Sequence, residues 1–114
     1  MAVNCEIKDG VGVVTVTGLL NSSIVESFGN QLGAWLQSHP EVKHVVVDLG
    51  GVSFMDSSGL RALIGIFKLV AERGGNMNLA RPQPNVKMVL EITCTNRSLR
   101  VFGSVEEAMH ATDG

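Results

Sequence analysis

The chain holds only two cysteines, Cys5 and Cys94, and neither belongs to a CxxC pair or a metal-ligand spacing. They are expected to be free thiols of a reduced compartment. No apolar run approaches the ~20 residues of a membrane span. The opening Met1-Ala2-Val3-Asn4 lacks a basic region, and Glu6, Lys8 and Asp9 interrupt the next stretch, so no leader is expected. Asn96-Arg97-Ser98 fits a glycosylation acceptor but has no meaning without secretion. The expected location is therefore cytoplasmic, with no membrane insertion. Basic residues number nine against eleven acids and are scattered, which excludes nucleic acid as the main partner.

Reactive groups are equally sparse. His39, His44 and His110 stand apart, and there is no HExxH, no GxSxG elbow and no GxxxxGK[ST] phosphate loop. Asp48 and Asp56 form a conceivable carboxylate pair, but no acid or base partner accompanies them. A hydrolase using Ser57 or Ser58 lacks a general base in the same way. The chain is not expected to be an enzyme, and no cofactor or metal is called for.

What the chain does contain is a regular alternation of elements. At 114 residues, 45% hydrophobic and 18% charged, it is expected to fold as a single domain spanning 1–114. Asp9-Gly10 is a turn between Cys5–Lys8 and Val11–Leu19, which predicts a hairpin. Asn21-Ser22-Ser23 supplies caps for a helix carrying Ile24, Val25, Phe28, Leu32, Trp35 and Leu36 on one face, ending near His39 before Pro40. Val45-Val46-Val47 with Leu49 reads as a buried strand that Gly50-Gly51 breaks. A second helix begins at Ser57, with Leu60, Leu63, Ile64, Phe67, Val70 and Ala71 as its core stripe and Gly74-Gly75 as its end. Met77–Ala80 is a fourth strand. A rigid Arg81-Pro82-Gln83-Pro84 connector precedes a helix capped by Asn85, which carries Val86, Val89 and Leu90. A short strand at Leu99–Phe102 and a helix opened by Ser104 and Glu107 close the chain. The order β-β-α-β-α-β-α-β-α predicts an α/β fold. Its sheet is mixed but mostly parallel, of four to five strands with the first as an antiparallel edge, packed with about four helices.

The functional candidate is Asp56-Ser57-Ser58-Gly59, between a buried strand and an amphipathic helix. A helix N-terminus offers unpaired N–H groups and positive dipole, so a phosphate on either serine can be accommodated there. Helix capping alone also explains these residue types. On the same helix Ala62, Ile66 and Leu69 form a second apolar row, which is either buried by neighbouring elements or a docking surface. Arg61, Lys68 and Arg73 flank it and can steer an acidic partner.

Val45-Val46-Val47-Asp48-Leu49 followed by Val52-Ser53-Phe54-Met55-Asp56-Ser57-Ser58-Gly59-Leu60 resembles the signature of STAS domains, the anti-sigma-factor antagonist family of bacteria. The likeness continues through Gly74-Gly75, Val86–Ile92, Val101-Phe102 and Ser104–Ala108. It implies a STAS-like fold and a partner-switching function. The unphosphorylated antagonist binds an anti-sigma factor that is itself a serine kinase; phosphorylation of a DSSG serine ends binding and a serine phosphatase restores it. Carried onto this chain, the resemblance implies Ser58 as phosphoacceptor, with Ser57 second. Asp56, Ser57, Ser58, Gly59, Arg61, Ala62, Ile66, Leu69 and Asn21 are then the expected partner-binding residues. ATP belongs to the partner. The family usually carries a Gly-Glu-Leu-Asp-like segment where this chain has Gly18-Leu19-Leu20-Asn21. The alternative is a non-switching interaction or scaffold module, attached to a transporter or a signalling assembly.

Overall fold

A computed structural model describes residues 2–93 and 99–111. The element order is β1 (Ala2–Lys8), β2 (Val11–Leu20), α1 (Val25–Ser38), β3 (Val45–Met55), α2 (Ser57–Glu72), β4 (Met77–Ala80), α3 (Pro84–Ile92), β5 (Arg100–Phe102) and α4 (Val105–His110). Cys94 and the Asn96-Arg97-Ser98 acceptor lie outside the described residues. No helix among the described residues is long and apolar enough to cross a membrane.

The five strands form one sheet in the order β1-β2-β3-β4-β5. β1 runs antiparallel to β2, and the remaining pairs are parallel. The hairpin turn forms as its residues predict, with positive φ at both Asp9 (50°) and Gly10 (80°), as a two-residue type I′ turn requires. One sheet face packs Val14, Val16, Val45, Val47, Leu49 and Leu79 against Phe28, Leu32, Leu63, Val70, Val86 and Leu90 of α1, α2 and α3. The other face places Val11, Val46 and Ala80 under Ala108 of α4.

The expectation that Gly50-Gly51 ends the third strand is wrong. β3 continues through both glycines to Met55, and its register against β2 shifts between Thr15/Thr17 and again between Gly18/Leu19. β4 stops opposite Asp48, so the outer half of β3 has no strand on that side. Side-chain amides take its place: Gln83 donates to the Gly50 carbonyl at 2.9 Å and Asn85 donates to that of Ser53. Backbone carbonyls deprived of a ladder partner need a donor from elsewhere, and these two residues provide it. Asn85 is accordingly not the cap of α3, which begins after Gln83 with Pro84 in its first turn.

Asp48 is 7% exposed and does not pair with Asp56. Its carboxylate receives a bidentate Arg81 guanidinium at 3.0 and 2.9 Å and the Gly50 N–H at 3.0 Å. The carboxylate holds the Arg81 guanidinium above its already high ordinary pKa. Arg73 is likewise not a steering charge. It donates to the carbonyls of Leu36, His39 and Val42, closing the C-terminal end of α1. α2 ends as expected, with Gly74 and Gly75 donating to Ala71 and Val70 in a Schellman arrangement.

The two ion pairs among the described residues differ in kind. Glu6–Lys8 spans 3.4 Å with both side chains about half exposed, whereas Asp48 is buried and also serves Gly50. Exposed pairs contribute little, and a buried hydrogen-bonded carboxylate contributes more. Asp48→Ala is expected to lower the urea midpoint clearly, while Glu6→Ala leaves it near wild type. Equal midpoints for the two variants would contradict this assignment.

Candidate functional site

β3 delivers Asp56 to the start of α2, where it is the N-cap in extended conformation. Its Oδ1 accepts from the Ser58 N–H at 2.9 Å and the Gly59 N–H at 3.0 Å, and its carbonyl accepts the first helical bond from Leu60. Its own N–H donates to the Leu20 carbonyl at 3.2 Å, joining the ends of β2 and β3. The chain is pinned at this point from both sides.

Gly59 is buried where the first turn of α2 rests directly on β2. A Cβ there would collide with the Leu20 carbonyl and come within 2.9 Å of the Leu20 and Met55 side chains. Only glycine lets the helix approach this closely. The glycine of the motif is thus a packing requirement of the loop itself.

This geometry changes the phosphate reading. The N–H groups of Ser58 and Gly59, which a phosphate at the helix start would use, are already taken by Asp56. A phosphoserine here would meet a helix start at which these two donors are engaged and an adjacent carboxylate that repels it. Ser57 is exposed and Ser58 half-buried. Ser58 opens on a groove of about 500 Å³ between α1 and α2, lined also by Glu26, Gly29, Arg61, Ala62 and Leu69. Arg61, one turn beyond Ser58, is exposed and makes no ion pair among the described residues. The groove continues past Gly29 and Leu69 into a second depression of about 540 Å³ bordered by Gly33 and Glu72.

The second apolar row of α2 is divided. Ile66 is 3% exposed and belongs to the core, because α1 packs over that side of the helix. It is not a surface anchor. Ala62 is half-buried and Leu69 is 47% exposed. From the expected core stripe, Ile64 and Phe67 are half-buried and Ala71 is exposed, so the buried face is rotated toward Ile66. Asn21 works within the chain: its side chain accepts from the N–H and hydroxyl of Ser23, and its carbonyl accepts from Ile24 and Val25. This forms an Asx turn ahead of α1, whose own N-cap is Ile24.

Motif and helical pattern do not single out Phe54, which the structure leaves exposed. It and Leu19 are neighbours across the β2–β3 register, 46% and 47% exposed, immediately before the Asp56 loop. Alternation carries the signal: Leu20 and Met55 are buried, so the preceding residue on each strand faces outward.

The STAS domain family matches residues 2–108. The chain belongs to that family. An anti-sigma F factor antagonist of Paenibacillus polymyxa is 26% identical over 96% of this chain and 92% of its own length. A Thermotoga maritima structure described as that of a candidate anti-sigma factor antagonist superposes with a TM-score of 0.90 at 22% identity, covering 98% of this chain and 95% of that one. The anti-sigma factor antagonist SpoIIAA, in its unphosphorylated form, gives 0.82 at 23% identity, covering 99% and 97%. SpoIIAA has also been solved phosphorylated. These names describe regulators and not enzymes, in keeping with the scarcity of reactive groups in the sequence.

Two substitutions probe the loop. Asp56→Ala is expected to cost about 1 kcal/mol, the usual value of an N-cap. Gly59→Ala is expected to cost about 1–3 kcal/mol, because a backbone carbonyl must move. Chemical denaturation measures both, and a neutral Gly59→Ala would show that the helix does not rest on Leu20.

Proposed function

We propose that this STAS domain is an anti-sigma factor antagonist that binds a serine-kinase anti-sigma factor when unphosphorylated and is released when Ser58 is phosphorylated. A serine phosphatase resets it. The observation that carries this reading is the position of Ser58: it lines the α1–α2 groove, beside backbone donors that Asp56 has already occupied. Phosphate brings about −1.5 to −2 charges at neutral pH. With the Ser58 and Gly59 donors already engaged by Asp56, that charge is presented toward whatever covers the groove. Burying it against a partner without matching cations costs several kcal/mol, enough to lower affinity by orders of magnitude.

The naming of the Paenibacillus relative and the existence of SpoIIAA in two phosphorylation states support the same reading. Leu19 and Phe54 extend the expected contact surface on the other side of the loop, giving the partner an apolar footing beside a polar switch. ATP and the transfer chemistry belong to the kinase. This chain contributes the acceptor hydroxyl and the surface around it.

Incubation with ATP and each serine-kinase anti-sigma factor encoded in the source genome, followed by mass spectrometry, tests the acceptor. Phosphate is expected on Ser58; its absence from both Ser57 and Ser58 with every such kinase would overturn the proposal. Ser58→Asp is expected to weaken binding of the cognate kinase by about tenfold or more, while Ser58→Ala binds like wild type.

Gly65 tests the groove separately. A Cβ at Gly65 would meet nothing within 4 Å. Gly65→Ala is therefore expected to stabilise the domain by up to ~1 kcal/mol, the helix-propensity gain. It is also expected to weaken kinase binding by narrowing the groove. A more stable variant with unchanged affinity would remove the groove from the interface.

A further inference from the structure

We infer that a second copy of this chain pairs with the outer edge of β1, antiparallel and centred on Cys5, joining two sheets into one. The turn geometry fixes which groups face outward. In a two-residue type I′ hairpin the flanking residues, Lys8 and Val11, exchange both backbone hydrogen bonds. Alternation then directs the backbone groups of Ala2, Asn4, Glu6 and Lys8 toward β2. Those of Val3, Cys5 and Ile7 point away from the sheet. The Gly12 N–H, opposite Ile7, confirms the phase by donating across to His44 on the β3 side. No described residue pairs with the outward groups, since β1 ends the sheet.

This edge carries few of the usual safeguards, Glu6 and Lys8 being its only charges. Its register with β2 is unbroken from Ala2 to Lys8, without bulge or proline, and its outward-directed residues are uncharged. A copy centred on Cys5 overlaps all seven residues. It matches Val3 with Ile7, Cys5 with Cys5, and Ile7 with Val3, each outward group meeting another outward group. About six hydrogen bonds result. Val3 and Cys5 already pack on the main core, whereas Ile7 on the same face is 45% exposed; the pairing sets each Ile7 beside the other copy's Val3. On the opposite face Glu6 meets Asn4 and Lys8 meets Ala2. Shifting the centre to Glu6 would place like charges directly opposite, and shifting it to Asn4 would shorten the overlap, so charge and length together favour the Cys5 register.

Hydrogen exchange by NMR on the full chain, at two concentrations differing about a hundredfold, reads the edge directly. The amides of Val3, Cys5 and Ile7 are expected to gain protection as concentration rises, with sedimentation showing a dimer at the upper one. Equal exchange of those three amides at both concentrations, or a monomer throughout, would overturn the inference. Ile7→Pro removes an outward N–H that β2 does not use, so it is expected to abolish the dimer with the circular dichroism spectrum unchanged. Should that variant lose its fold, Ile7→Lys decides: a tenfold or greater weakening supports the pairing, and undiminished association contradicts it.

Discussion

The structure turns on the contact between the first turn of α2 and the end of β2. Gly59 lies against the Leu20 carbonyl, and the Asp56 N–H donates to that same carbonyl. One backbone oxygen therefore positions both the helix and its cap. That constraint holds the loop in which Ser57 is exposed and Ser58 half-buried, while strand alternation turns Leu19 and Phe54 outward beside it. It also explains why Asp56 and Gly59 flank the serines: one satisfies the helix donors and the other permits the approach. A residue pair that docks the helix is at the same time the frame of the proposed switch.

The same constraint shapes the electrostatics. With the Ser58 and Gly59 N–H groups engaged by the Asp56 carboxylate, the start of α2 is a poorer anion site for its own side chains. On the proposed mechanism, a phosphate on this loop is a local charge that acts on the partner's surface. The core beneath it, from Val45 to Leu49, is buried.

Much of this was legible in the sequence. The order of nine elements, the Asp9-Gly10 turn, the antiparallel first strand and the Gly74-Gly75 ending are local or periodic signals. The Asp56 cap is read from residue type alone. What escaped depends on contacts between distant segments. β3 passes through Gly50-Gly51 because Gln83 and Asn85, more than thirty residues on, supply donors to its carbonyls. Arg73 is withdrawn from the surface by the end of α1. Ile66 becomes core because α1 packs across α2 at an angle that a helical wheel does not contain. The candidate loop was visible as a motif, but the occupation of its donors was not.

Phosphorylation of Ser58, on the proposed mechanism, acts through local charge and leaves the fold unchanged. ¹H–¹⁵N correlation spectra of the protein with serine and with phosphoserine at position 58 separate a local effect from a global one. Shift changes are expected only in the Asp56 loop, the first turns of α2 and the facing residues of α1, including Glu26 and Gly29. Comparable changes along Val45–Leu49 and β4 would mean that the phosphate remodels the core, and would contradict a switch that works by charge alone.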